Sequence, residues 1–98
     1  MKSSRNGARE AAEMLAIQAL GFIAEDDARM SAFISATGIE PSAIRDAAHE
    51  PDFLTGVLDH MLADESLLTG FADSAGLNPA SIAKARRAFG AVWEPDTP

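Results

Sequence analysis

His60 and Asp64 stand four residues apart, with Asp59 and Glu65 beside them. On a helix that spacing brings an imidazole and a carboxylate to one face, the beginning of a divalent-metal site. The set stops at two ligands, or three with a neighbour, where a tight zinc site takes three or four from the protein. A solvated polar edge with Asp64 opening the next helix is the preferred reading, and a metal-dependent activity near His60 is the weakest functional reading. The other histidine, His49, falls near the end of a short helix, where a cation meets the helix dipole favourably, and it reads as a C-terminal cap. Glu25, Asp26 and Asp27 form the densest acid run. They lack the alternating oxygen ligands and central glycine of a calcium loop, and they read as a helix start. Serines are plentiful, but no GxSxG elbow and no phosphate-cradling glycine loop occurs. There is no tyrosine, and there is no cysteine to serve as nucleophile, metal ligand or disulfide partner. The chain therefore reads as non-enzymatic, with no metal and no cofactor.

Two further groups point to binding. Lys84, Arg86 and Arg87 are the basic cluster of the helical region, and Phe89 and Trp93 follow it four residues apart. Aromatic and arginine side chains dominate the energetic centres of protein interfaces, so these five residues form the candidate interface set. The competing reading has Phe89 and Trp93 sealing the end of the core while the cations offset an acidic body. The same region, FADSAGLNPASIAKARR over residues 71–87, has the outline of a DNA-binding helix-turn-helix. Ala72 is the small residue of the first helix, Gly76 follows four residues later, and Leu77 and Ile82 supply the apolar positions. The reading residues of such a motif lie near the start of its second helix, here Asn78, Pro79, Ala80, Ala83 and Lys84. Of these, Asn78 and Lys84 suit a base edge.

Charge weighs against nucleic acid. The net charge is −7, and its distribution is uneven. Lys2, Arg5 and Arg9 make the start basic, and Lys84, Arg86 and Arg87 make a second basic point. Between Glu10 and Ala83, thirteen acids face only Arg29 and Arg45. Such a body repels phosphate over most of its surface. The longest apolar run, Met14 to Ala24, has 11 residues, where a membrane span needs about 20. Glu10 and Glu13 precede it, Glu25, Asp26 and Asp27 follow it, and no clear small-x-small cleavage site appears, so it does not read as a signal peptide. It reads as a buried core helix of a cytoplasmic protein.

The elements that must position these residues occur twice. SATGIEPSAIRDAA lies over DSAGLNPASIAKAR at an offset of 38, which puts Gly38 on Gly76, Pro41 on Pro79 and Ile44 on Ile82. The same shift superimposes Leu20 on Leu58, Asp26 on Asp64 and Phe33 on Phe71 without a gap. Each copy predicts three helices. In the first they run over about 8–24, about 27–37, and from Pro41 towards Pro51. In the second the apolar stripe Phe53, Leu54, Val57, Leu58, Met61 and Leu62 marks one helix. Asp64 caps the next, Gly76 ends it, and Asn78 with Pro79 starts a last helix through Ile82, Ala85, Phe89 and Trp93. Gly38, Pro41, Gly76, Asn78 and Pro79 are the structural turn residues. No alternating β-branched run or hairpin turn occurs. The fold class is all-α: a compact bundle of about six helices built from two pseudo-repeats of three, with helix-turn-helix-like pairs. Residues 1–7 form a flexible arm, 8–93 one domain with pseudo-repeats of about 8–50 and 51–93, and 94–98 a disordered tail.

ALGFIAED, ISATGIEP, FLTGVLDHMLADESLL and FADSAGLNPASIAKARRAFG carry a resemblance covering about residues 10–90. They resemble a small alphaproteobacterial family catalogued only as a domain of unknown function. The resemblance implies an all-α fold in a bacterial cytoplasm, and it brings no activity and no functional residues. The preferred function is thus an uncharacterised protein-interaction module. Its partner is an unknown protein or, as a homodimer, a second copy. A DNA-binding helix-turn-helix protein is the alternative, and nucleic acid and membrane are disfavoured as partners.

Overall fold

Asp26 and Asp64 open helices by the same contact. Each lies in extended backbone, and its carboxylate accepts the N–H three residues on, from Arg29 at 3.0 Å and from Leu67 at 3.1 Å. That contact satisfies one of the backbone donors a helix start leaves orphaned. In the computed structural model, which describes residues 4–90, these caps precede α2 (Asp27–Thr37) and α5 (Glu65–Ala75). The other helices are α1 (Ser4–Ala24), α3 (Ile44–Ala47), α4 (Pro51–Leu62) and α6 (Pro79–Ala88), and a 3₁₀ turn over Pro41–Ala43 leads into α3. Among the described residues there is no strand. The fold is the all-α bundle expected. Helix α1 begins earlier than the spacing suggested, so residues 4–7 of the expected N-terminal arm are helical. The rest of that arm and the 94–98 tail lie outside the described residues.

The punctuation of the two copies matches at the backbone. Both α2 and α5 have 11 residues, and they end at Gly38 (φ 73°) and Gly76 (φ 69°). This left-handed conformation is open to glycine without the Cβ clash other residues meet. Glu40 and Asn78 then sit in extended backbone with ψ of 133° and 134°, and Pro41 and Pro79 take the first helical positions. The copies diverge from there. Leu77 N–H closes the second turn onto Ala72 C=O at 2.8 Å, whereas Ile39 N–H turns to Thr37 Oγ1 at 3.3 Å. Asn78 Oδ1 caps Ala80 N–H at 2.9 Å, while Glu40 makes no side-chain cap. The better-capped helix, α6, reaches 10 residues, and its counterpart is a 3₁₀ turn followed by the four residues of α3.

Packing amplifies the difference. Helices α1, α4 and α6 pack on one another as the central group, α2 lies on α1, and α5 lies on α4 and α6. Ala16, Ala19, Ile23, Phe33, Val57, Leu58, Met61 and Ile82 are wholly buried, and no polar or charged residue is buried among those described. Ile82 is a core residue, but Ile44, its counterpart 38 positions earlier, is half-exposed. Arg86 explains part of this. Its Nε donates to Asp59 Oδ1 at 2.6 Å and its Nη1 to Gly90 C=O at 2.7 Å, which ties α6 to α4. The positions 38 residues earlier hold Gly21 and Ala48, which can make no such tie. Pro51 also favours the extended backbone seen at Glu50, the position that matches the last residue of α6.

Aromatic contacts cross between the copies. Phe22 on α1 packs on Phe71 of α5 with ring centroids 5.5 Å apart. His60 on α4 packs edge-on against Phe33 of α2 at 5.2 Å. Phe22 and His60 are 38 positions apart, as are Phe33 and Phe71, so the first helix of each copy reaches the second helix of the other.

Candidate interaction surface

Of the five residues read as an interface set, the four described ones do not form one exposed patch. Helix α6 ends at Ala88, and Gly90 takes φ 88°. Trp93 lies outside the described residues. Phe89 is half-buried and packs against the core, with the Arg9 guanidinium 5.4 Å from its ring centroid. Arg86 points to the other side as the Asp59 tie, its side chain only 12% exposed. Lys84 and Arg87 remain exposed, one turn apart, beside a groove of about 640 Å³ between α1 and α6 that alanines line. The expected basic and aromatic cluster is thereby divided, because residues 84 and 87 share a helix face and residue 86 is turned about 100° from Arg87.

The helix-turn-helix pair is engaged in the fold. Asn78 uses Oδ1 as its cap, and a bidentate adenine contact needs that same oxygen. Helix α6 packs between α1 and α4. The residues around the metal reading are also engaged. His60 sits edge-on to Phe33, and the Asp64 carboxylate caps α5. Among the described residues no group of three His, Asp or Glu side chains converges on a point where a cation would sit.

The most distinctive surface lies where the sequence predicted a buried helix. In the run Met14 to Ala24, the residues Ala16, Ala19, Leu20 and Ile23 are buried, but Met14 is 68% and Ile17 48% exposed. These are the exposed large hydrophobic residues among those described. The physical reason is geometric: α1 meets α2, α4 and α6 on one side, and no described element covers the other. From Ile17 the apolar surface continues into a groove of about 850 Å³, whose walls include Leu20, Met30, Ile34 and Ile44. Arg45, Asp46 and His49 stand at its polar edge. This groove is the space the short, loosely held α3 leaves beside α1 and α2.

The second copy supplies an internal comparison. At the positions matching Met14 and Ile17 it carries Asp52 and Thr55. Asp52 is exposed, and Thr55 is half-buried and donates its hydroxyl to Pro51 C=O at 2.8 Å. The first copy places two large apolar side chains at the same register. Exposure of α1 was not visible from its hydropathy. The signal in the sequence is the mismatch between copies, Met14 against Asp52 and Ile17 against Thr55.

A family model described as Protein of unknown function (DUF3572) matches residues 9–91. The chain belongs to this family. No curated protein and no solved structure matches it. The DUF3572 match runs from the first half of α1 to just past α6, so it includes Met14, Ile17 and the groove beside them. In this DUF3572 chain, no helix among the described residues is long and apolar enough to cross a membrane.

Proposed function

We propose that the chain is a small non-enzymatic interaction module, and that its contact face is the exposed side of α1 around Met14 and Ile17 with the adjoining groove. The observation that carries this reading is the pair Met14 and Ile17, exposed where the matching positions hold Asp52 and Thr55. Burying one such side chain contributes about 1.5–3 kcal/mol. Ile17 lines the apolar groove and Met14 stands one turn before it on α1, and such a surface gains from being covered. The cysteine-free composition and the acids that bracket the apolar run fit a cytoplasmic protein.

The test uses the chain's own second copy as a guide. Met14→Asp combined with Ile17→Thr should leave the chain folded, with its helical content unchanged, while removing protein captured from a lysate of the source cells. Lys84→Ala with Arg87→Ala should leave that capture intact. Loss of capture in the second variant and not in the first would move the contact face to the α1–α6 groove and refute the assignment.

A further inference from the structure

We infer that the occupant of this face is a second copy of the chain, with α1 packed antiparallel on α1 so that Met14 of each copy meets Ile17 of the other. The inference rests on the reading of that face as an interaction surface. Its support is the spacing along the exposed side of the helix. Gly7, Glu10, Met14, Ile17, Gly21 and Ala24 are all exposed, and they alternate at three and four residues over almost the full length of α1. Met14 and Ile17 stand at the centre of that line, and the small Gly7, Gly21 and Ala24 towards its ends let a second helix approach. The buried side of α1 holds Ala12, Ala16, Ala19 and Ile23, so that line is a seam additional to the core stripe.

The residues in the seam select the direction. A parallel pair would set Glu10 against Glu10 and Gly21 against Gly21, a like-charge contact and an unfilled gap. An antiparallel pair sets Met14 against Ile17 twice at the centre, Glu10 over Gly21, and Gly7 over Ala24. The space above Gly21 is open, with nothing within 4 Å of where a Cβ would stand, and it accepts the Glu10 stem. Charge agrees at the edge. Glu13 of one copy comes beside Leu20 of the other, and Arg45 lines the groove there with Ile17 and Leu20. Among the described residues Arg45 has no ion pair, and Glu13 has only a 4.0 Å contact with Arg9 on its own helix. Each copy carries a net charge of −7, so long-range repulsion opposes the pairing. Added salt should therefore tighten it, the opposite of a contact that depends on the basic residues.

Sedimentation of the full chain tests this. The weight-average mass should approach twice the monomer between roughly 1 and 200 μM, as for a single-helix contact of about micromolar affinity. The transition should move to lower concentration at high salt. Met14→Asp with Ile17→Thr should remain monomeric throughout, with an unchanged circular dichroism spectrum. Direction is read with single cysteines, which the cysteine-free chain allows. Oxidising an equimolar mixture of Met14→Cys and Ile17→Cys should give the mixed disulfide far beyond the roughly twofold excess over either homodisulfide that random pairing yields. A monomer at every concentration overturns the inference, and so does a dimer that survives Met14→Asp with Ile17→Thr. A mixed disulfide at or below that roughly twofold statistical excess overturns the antiparallel seam. A monomeric chain that still captures a different protein, lost in the same double variant, leaves the interaction face standing and removes only the second copy as its occupant.

Discussion

Gly56→Ala and Gly76→Ala should change stability in opposite directions. Gly56 lies inside α4 and Gly76 ends α5, and a Cβ at either position meets nothing within 4 Å. Available space therefore cannot distinguish them. Backbone conformation does, because Gly76 holds φ 69°. In the helix interior, alanine is favoured over glycine by about 1 kcal/mol. In the left-handed region an L-residue costs about 1–2 kcal/mol. About 0.4–1 kcal/mol returns because the unfolded chain has fewer conformations with alanine. Gly76→Ala should therefore lose about 1 kcal/mol, and Gly56→Ala should gain about as much. For a domain of this size the two thermal midpoints should stand roughly 8–16 °C apart. Gly38→Ala, at φ 73°, should behave like Gly76→Ala. Thermal and urea unfolding followed by helical circular dichroism measure all three. An unchanged urea slope would show that the fold and the surface exposed on unfolding are retained. A rise in midpoint for Gly76→Ala, or a fall for Gly56→Ala, would refute the assignment of the two backbone states.

Other outcomes follow from the asymmetry between the copies. Ile82→Ala should cost about 2–5 kcal/mol because Ile82 is wholly buried between the central helices. Ile44→Ala should cost about 1 kcal/mol, and equal losses in urea unfolding would contradict the peripheral place of α3. Arg86→Met should lose about 1–2 kcal/mol with its bonds to Asp59 and Gly90. Asp59→Asn should lose less than about 1 kcal/mol, since that carboxylate is half in water, and the double variant should lose less than the sum. Mixed-sequence duplex DNA should show no binding at low salt. Salt-sensitive binding abolished by Lys84→Ala with Arg87→Ala would reverse that expectation.

Local signals in the sequence determined the caps and turns, and with them the ends of α2 and α5. Asp26, Asp64, Gly38, Gly76, Pro41 and Pro79 act through their own backbone geometry or through a neighbour within three residues, so their roles need no knowledge of the fold. The bounds of α2 and α5 came out as expected for that reason. The longer, better-capped α6 was legible from Asn78 in the same way. Tertiary structure decided which faces those helices bury. The run Met14 to Ala24 is apolar nearly all round, and its periodicity could not say that Met14 and Ile17 face outward. That depends on α2, α4 and α6 all meeting α1 from one side. The basic cluster looked continuous along the chain, yet only packing could assign Arg86 to Asp59, 27 residues away, and leave Lys84 and Arg87 in water. The same contact adds to the Asn78 cap in making the two third helices unequal. A turn sets the direction in which a helix leaves, and long-range contacts set whether it has a surface to pack against and how far it continues.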